Sequence, residues 1–177
     1  AQKAVTEAAR EVIPATHRVA NAITMVEPGT GYIKGMASNR AFGEGKGATE
    51  IPLPTVKKFS PASTFKLFTL VAALEDGVPL STTLPGGSEY VSDKFDNPPG
   101  GYHNAEGLSA SDVSISQATE MSINTAYVQL EERVGIPAIA DSAKRLGITS
   151  IGKPGTASYP GKKEGTFALG VRDVSVT

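Results

Sequence analysis

Ser63 and Lys66 stand three positions apart in A-S-T-F-K-L-F-T-L-V-A-A-L, residues 62 to 74. On an α-helix that spacing places both side chains on one side, one turn apart, so the lysine amine can reach the serine hydroxyl. A serine hydroxyl is a weak nucleophile until a neighbouring base takes its proton. Lysine can be that base once burial lowers its pKa toward neutrality. Phe65, Phe68 and Ala72 form one apolar stripe and Leu67, Leu70, Val71 and Leu74 another, which predicts a helix buried on all sides with Lys66 its only charge. Ser63 falls in the first turn, where unpaired N–H groups and the positive end of the helix dipole favour an alkoxide or a developing oxyanion.

Spacing alone is weak support. With 15 serines and 11 lysines in 177 residues, about one Ser-x-x-Lys arises by chance, and a second does occur at Ser150-Ile151-Gly152-Lys153. Gly152 and Pro154 argue against a helix there, so those side chains need not meet. At Ser63, catalysis and a snorkelling structural lysine both remain open on this ground. Ser122-Ile123-Asn124 is a second polar cluster, between two predicted helices. It can aim a hydroxyl and a carboxamide into a cleft, or simply cap a helix.

The elements that must hold these groups follow from periodicity and punctuation. A helix over 2–13 ends at Pro14, and strands over 18–26 and 32–37 flank Glu27-Pro28-Gly29-Thr30-Gly31 as a hairpin. Residues 38–58 read as a flexible loop. Pro61 and Gly77 bracket the Ser63/Lys66 helix. Residues 79–108 are rich in Pro, Gly, Ser and Asp and read as a long functional surface loop. Ser109 with Asp112 predicts a helix running to Thr119, followed by helices from Thr125 to Val134 and from Pro137 to Gly147.

Composition excludes several function classes. The formal net charge is −1 and neither sign forms a long run, so nucleic acid and anionic membrane surfaces are poor partners. Lys57-Lys58 and Lys162-Lys163 read as solvated loop charges. Without cysteine there is no disulfide, thiolate metal site or cysteine nucleophile. The two histidines, His17 and His103, lack ligand spacing for zinc. No 18-residue apolar run is present. The length suits one domain or a large piece of one.

S-T-F-K within F-S-P-A-S-T-F-K-L-F, together with S-I-N within M-S-I-N-T-A-Y-V-Q-L, resembles the first two of three motifs of the penicillin-binding proteins and serine β-lactamases. M-V-E-P-G-T-G-Y-I-K-G-M-A-S-N-R-A-F-G (25–43) looks like the strand-turn-strand that opens a transpeptidase domain of that family. G-Y-H-N-A-E-G (101–107) looks like the loop leading to its second motif, and F-A-L-G-V-R-D-V-S-V-T (167–177) like the segment after the second-motif helices. The detail is most similar to a class A penicillin-binding protein.

The resemblance implies a mixed α/β fold, a sheet with flanking helices, incomplete at its C-terminus. Residues 1–16 would be a linker or N-terminal helix into the domain, and 17–177 the N-terminal part of the transpeptidase domain. Ser63 would be the acylated nucleophile, Lys66 its base and Ser122 a proton relay, while Asn124 would hold the substrate's peptide amide. Stem peptides of peptidoglycan would be substrates and β-lactams inhibitors, with no metal or organic cofactor. The third motif, K-T-G on a strand, is absent. Lys153-Pro154-Gly155-Thr156 mimics it, but out of order and with a proline that removes a strand N–H. A chain ending at Thr177 would then be a fragment with little activity alone, its partner the rest of the same domain. The parent would act outside the cytoplasmic membrane on an upstream anchor. Ala62 stands where the family commonly has glycine, a change expected to matter little because the side chain is small.

Two rival readings accompany this one. A serine β-lactamase would have to hydrolyse its acyl-enzyme fast, in one class with a loop glutamate in an E-x-x-L-N setting; no such string occurs here, and Glu106, Glu131 and Glu132 read more simply as surface charges. A β-lactam-sensing or peptidoglycan-binding module with the same fold would not be an enzyme at all.

Overall fold

The computed structural model describes residues 1–56 and 58–177. Lys57, half of one basic pair named above, lies outside the described residues. The chain forms two compact units, residues 1–59 with 174–177 and residues 60–173.

In the first unit, helix α1 (Gln2–Val12) lies on a hairpin of β1 (Ala22–Val26) and β2 (Ile33–Ser38). Val5 and Ala9, one turn apart, are its buried residues. Close approach needs Gly35: a Cβ there would sit 3.0 Å from the Val5 side chain and 3.1 Å from the Gln2 backbone. The Gln2 carboxamide then bonds both the carbonyl and the N–H of Met36, tying the helix to a strand edge. The hairpin is antiparallel with a bulge at Met25/Val26, and Gly29 and Gly31 supply positive φ in its connection. Strands β3 (Ala41–Phe42) and β4 (Ala48–Thr49) pair in parallel within the predicted loop.

The second unit is built on α2 (Lys66–Glu75), preceded by a 3-10 turn at Ala62–Phe65. Its 79–108 stretch is not an unstructured connection. It contains β5 (Thr83–Gly86), β6 (Glu89–Tyr90) and β7 (Tyr102–His103). Nor does a helix begin at Ser109. Residues Ala110–Ser114 form β8, antiparallel to β5, because Val113 is needed in the core beneath that pairing. Helix α3 (Ile115–Glu120) starts only after it, and the capping box is Ser114 with Gln117. Helices α4 (Asn124–Val134) and α5 (Ile136–Arg145) follow, with Gly135 between them and Gly147 at φ +104° just beyond.

Helix α2 packs against both α4 and α5 and divides the core. Ala73 joins Val113, Ile115, Ile123, Tyr127 and Leu130 on one side, and Ala72 joins Phe65, Ile139, Ala143 and Phe167 on the other. The expectation of burial on every face is wrong. Leu67 is 51% exposed and Leu74 45%, seven residues apart on a side that neither neighbouring helix covers. Lys66, Thr69 and Ala73 instead line a buried face, so the charged residue is inside and two leucines are outside.

Candidate active site

Ser63 lies on the 3-10 turn that feeds α2, and its side chain is exposed. The turn is held from behind by the 3-10 turn at Phe167–Leu169 and the residue after it, Gly170. Ala62 N–H donates to the Gly170 carbonyl at 3.3 Å, and Ser60 Oγ donates to the same oxygen at 2.8 Å. A Cβ on Gly170 would fall 2.2 Å from the Ala62 carbonyl oxygen. Ala62 itself has φ +46°. The departure at this position therefore concerns backbone conformation rather than side-chain size, since left-handed backbone is what glycine adopts freely and alanine does not.

Lys66 is 3% exposed. Its Nζ lies 3.2 Å from Ser63 Oγ, 2.9 Å from Ser122 Oγ, 2.7 Å from the Ser122 carbonyl and 2.7 Å from Asn124 Oδ1. The Tyr127 ring centroid is 5.4 Å away. Every hydrogen-bond partner is a neutral oxygen, and among the described residues Lys66 joins no ion pair. Burial thus goes uncompensated by a carboxylate, and desolvation lowers the Lys66 pKa from 10.5 to about 8. An amine so tuned is still mostly protonated at pH 7 but exists as the free base in about one molecule in ten, far more than an ordinary lysine.

Ser122 and Asn124 converge on the same amine from the other side. Ser122 sits at φ +56° between α3 and α4. The helix-cap alternative fails, because Ile123 is the N-cap of α4 and no side chain caps from that position. Asn124 instead divides its carboxamide between two partners, Oδ1 accepting from Lys66 and Nδ2 donating to the His103 carbonyl at 2.8 Å. Thus Ser63, Lys66, Ser122 and Asn124 meet within hydrogen-bonding distance of one nitrogen. Residues 150–153 form no helix and Lys153 is exposed.

The glutamates differ from expectation. Glu106 is exposed, but Glu131 is fully buried and Glu132 half-buried, accepting from Tyr90 Oη at 2.9 Å and from Ser92 Oγ. Glu131 Oε2 accepts from Ala168 N–H at 3.1 Å, Oε1 has no partner among the described residues, and burial raises its pKa to about 8. Helical spacing carried a signal for this: Glu131 follows Tyr127 by four and so continues the buried stripe of α4. The His103 carbonyl had no local signal, since a loop folded against α4 brings it to Asn124.

The model of the penicillin binding protein transpeptidase domain matches residues 21–176. Penicillin-binding protein 1A of Mycobacterium tuberculosis (strain ATCC 25618 / H37Rv) is 36% identical over 101 residues, which is 56% of this chain and 11% of that protein. Among solved structures, the PonA1 protein from Mycobacterium tuberculosis in complex with penicillin V has a TM-score of 0.76 at 25% identity, covering 99% of this chain and 45% of that one. Penicillin-binding protein A from M. tuberculosis, an imipenem acyl-enzyme complex, shares the fold with a TM-score of 0.71 at 22% identity, over 87% of this chain and 42% of that one. The chain thus spans less than half the length of the relatives it matches. Its mixed α/β architecture and the family match over most of its length agree, and the chain belongs to the penicillin binding protein transpeptidase domain family.

Proposed function

We propose that this chain carries the nucleophile and base of a peptidoglycan D,D-transpeptidase that is acylated at Ser63 and inhibited by β-lactams. The observation that carries the reading is a buried amine, paired with no carboxylate among the described residues, lying between two serine hydroxyls. In the first step the free amine of Lys66 takes the Ser63 proton as Oγ bonds to the carbonyl carbon of the penultimate D-alanine. The tetrahedral oxyanion is stabilised by the Ser63 backbone N–H and the helix start. Collapse breaks the C–N bond, and the departing D-alanine nitrogen receives its proton from Lys66 through Ser122 Oγ. A second amine then attacks the acyl-enzyme and returns a proton along the same path. Asn124 holds the substrate's peptide amide while keeping Lys66 in place.

Residues 17–177 serve in this reading as the N-terminal part of the transpeptidase domain, entered through residues 1–16. The K-T-G strand, with the second oxyanion donor and the carboxylate-binding side chains, comes from a segment outside them. The reaction lies outside the cytoplasmic membrane. Among the described residues no helix is long and apolar enough to cross one.

Intact-mass measurement after exposure of the full-length protein to penicillin V tests the reading. One adduct mapping to Ser63, absent from Ser63→Ala, is expected. No adduct, or one that maps elsewhere, refutes it, and release of the adduct within seconds would point to a β-lactamase instead.

A further inference from the structure

Asn124 can work only if its carboxamide points one way. Rotated by half a turn, it would present Nδ2 to the Lys66 amine, replacing an acceptor by a donor, and would leave the His103 carbonyl facing an oxygen. The His103 carbonyl fixes the choice. The next residue along, Asn104, is a loop asparagine only 8% exposed whose side chain has its full set of partners. Its Nδ2 donates to the carbonyls of Gly87 at 2.9 Å, Leu108 at 3.0 Å and Gly86 at 3.3 Å. Its Oδ1 accepts from Thr125 N–H at 3.0 Å and from Thr125 Oγ1 at 3.3 Å.

Thr125 is the second residue of α4, and its N–H is one that an N-cap side chain ordinarily satisfies. The N-cap here is Ile123, which has nothing to offer. Asn104 therefore caps α4 from 21 positions earlier in the chain. The same side chain ties the turn after β7, through the Leu108 carbonyl, to the link between β5 and β6, through the Gly87 carbonyl. Asn124 is bracketed as a result. Its backbone neighbour is hydrogen-bonded to Asn104, and its side-chain acceptor is joined to Asn104 by a peptide bond. Among the described residues, the only ladder that otherwise supports His103 is two residue pairs long, Glu89 with His103 and Tyr90 with Tyr102.

We propose that Asn104 is a positioning residue that locks the Asn124 carboxamide with its oxygen on Lys66, an inference that rests on the transpeptidase reading for its effect on rate. It touches no reacting atom. Its influence passes through Asn124, which separates it from a residue that merely stabilises the fold.

A double-mutant cycle in the intact protein tests this. The rate of Ser63 acylation by a fluorescent penicillin is measured for the wild type, Asn104→Ala, Asn124→Ala and the double variant. Asn104→Ala is expected to slow acylation roughly 10- to 100-fold when Asn124 is present. In the Asn124→Ala background it should change the rate less than about twofold, the signature of coupled sites. Equal losses in both backgrounds overturn the inference. Should Asn104→Ala not fold, Asn104→Asp carries the same cycle, since it keeps the acceptor for Thr125 and loses the donors to three carbonyls. A wild type that is not acylated refutes the transpeptidase reading by itself. Hydrogen exchange of the Asn124 side-chain amide, followed by NMR, then judges the clamp. Slow exchange in the wild type that becomes fast in the Asn104 variant supports it, and unchanged exchange overturns it.

Discussion

At 63/66 and at 150/153 the chain carries the same Ser-x-x-Lys spacing, and the two sites share nothing else. At the first, a 3-10 turn runs into α2, Lys66 is buried, and its amine meets four oxygens. At the second, the residues lie in turns and irregular chain, and Lys153 is exposed. Spacing alone thus does not bring a lysine amine to a serine hydroxyl; the helical turn and the burial around it do. A lysine in water keeps its ordinary affinity for a proton, whereas burial among neutral partners lowers the Lys66 pKa from 10.5 to about 8.

The comparison breaks most sharply at the serines. Ser63→Ala is expected to abolish penicillin V labelling outright, and Ser150→Ala to leave it unchanged, both read by intact mass. Labelling that survives the first change or falls with the second would remove the distinction.

The lysines give the next largest effect. Lys66→Met should slow acylation by at least about 100-fold, the low end for loss of a positioned general base, while Lys153→Met should not alter it. The pH profile carries the sign. Only the free amine accepts the Ser63 proton, so wild-type acylation should rise with pH through a midpoint near 8. An ordinary lysine midpoint above 10 would mean that burial does not tune this amine.

How much of this was readable beforehand depended on whether a group was placed by its own helix or by a distant loop. Ser63 and Lys66 are positioned by three residues of local geometry, and the hairpin and α5 by local punctuation. β8 was misread because Ser109 and Asp112 imitate a helix start, while pairing with β5 overrides that local preference. The outward face of α2 was misread because leucines facing water look the same in sequence as leucines facing the core. The clamp around Asn124 was invisible, since it joins residues about 20 positions apart through carbonyls that no side-chain pattern reports.

Glu131 sharpens the comparison from another direction, as a buried ionisable group whose carboxyl, among the described residues, meets no serine hydroxyl. Its pKa is raised to about 8, chiefly by desolvation. The unfolded chain loses this proton near pH 4.5 and the folded chain holds it, so stability falls as pH rises from about 4.5 through about 8. Glu131→Gln keeps the acceptor for Ala168 N–H without the charge. Relative to the wild type it should therefore gain stability across that window, on the order of a few kcal/mol by pH 9. Urea denaturation at pH 5, 7 and 9 reads the difference. A gap that does not widen with pH would mean that Glu131 ionises freely when folded.

The smallest effect lies beside Ser63, where the comparison turns from side chains to backbone. Residue 62 is alanine at φ +46°, clasped by Gly170, which has no room for a side chain of its own. Alanine in the left-handed region costs about 1–2 kcal/mol, and glycine removes that strain at the expense of a more flexible unfolded chain. Ala62→Gly is therefore expected to stabilise by a net of about 1 kcal/mol or less, with Ser63 acylation changed less than about threefold. Gly170→Ala should do the reverse, since its methyl would enter the Ala62 carbonyl. If that variant keeps the wild-type melting temperature and acylation rate, the turn that aims Ser63 is not held by the Gly170 clasp, and the helix start alone sets the nucleophile.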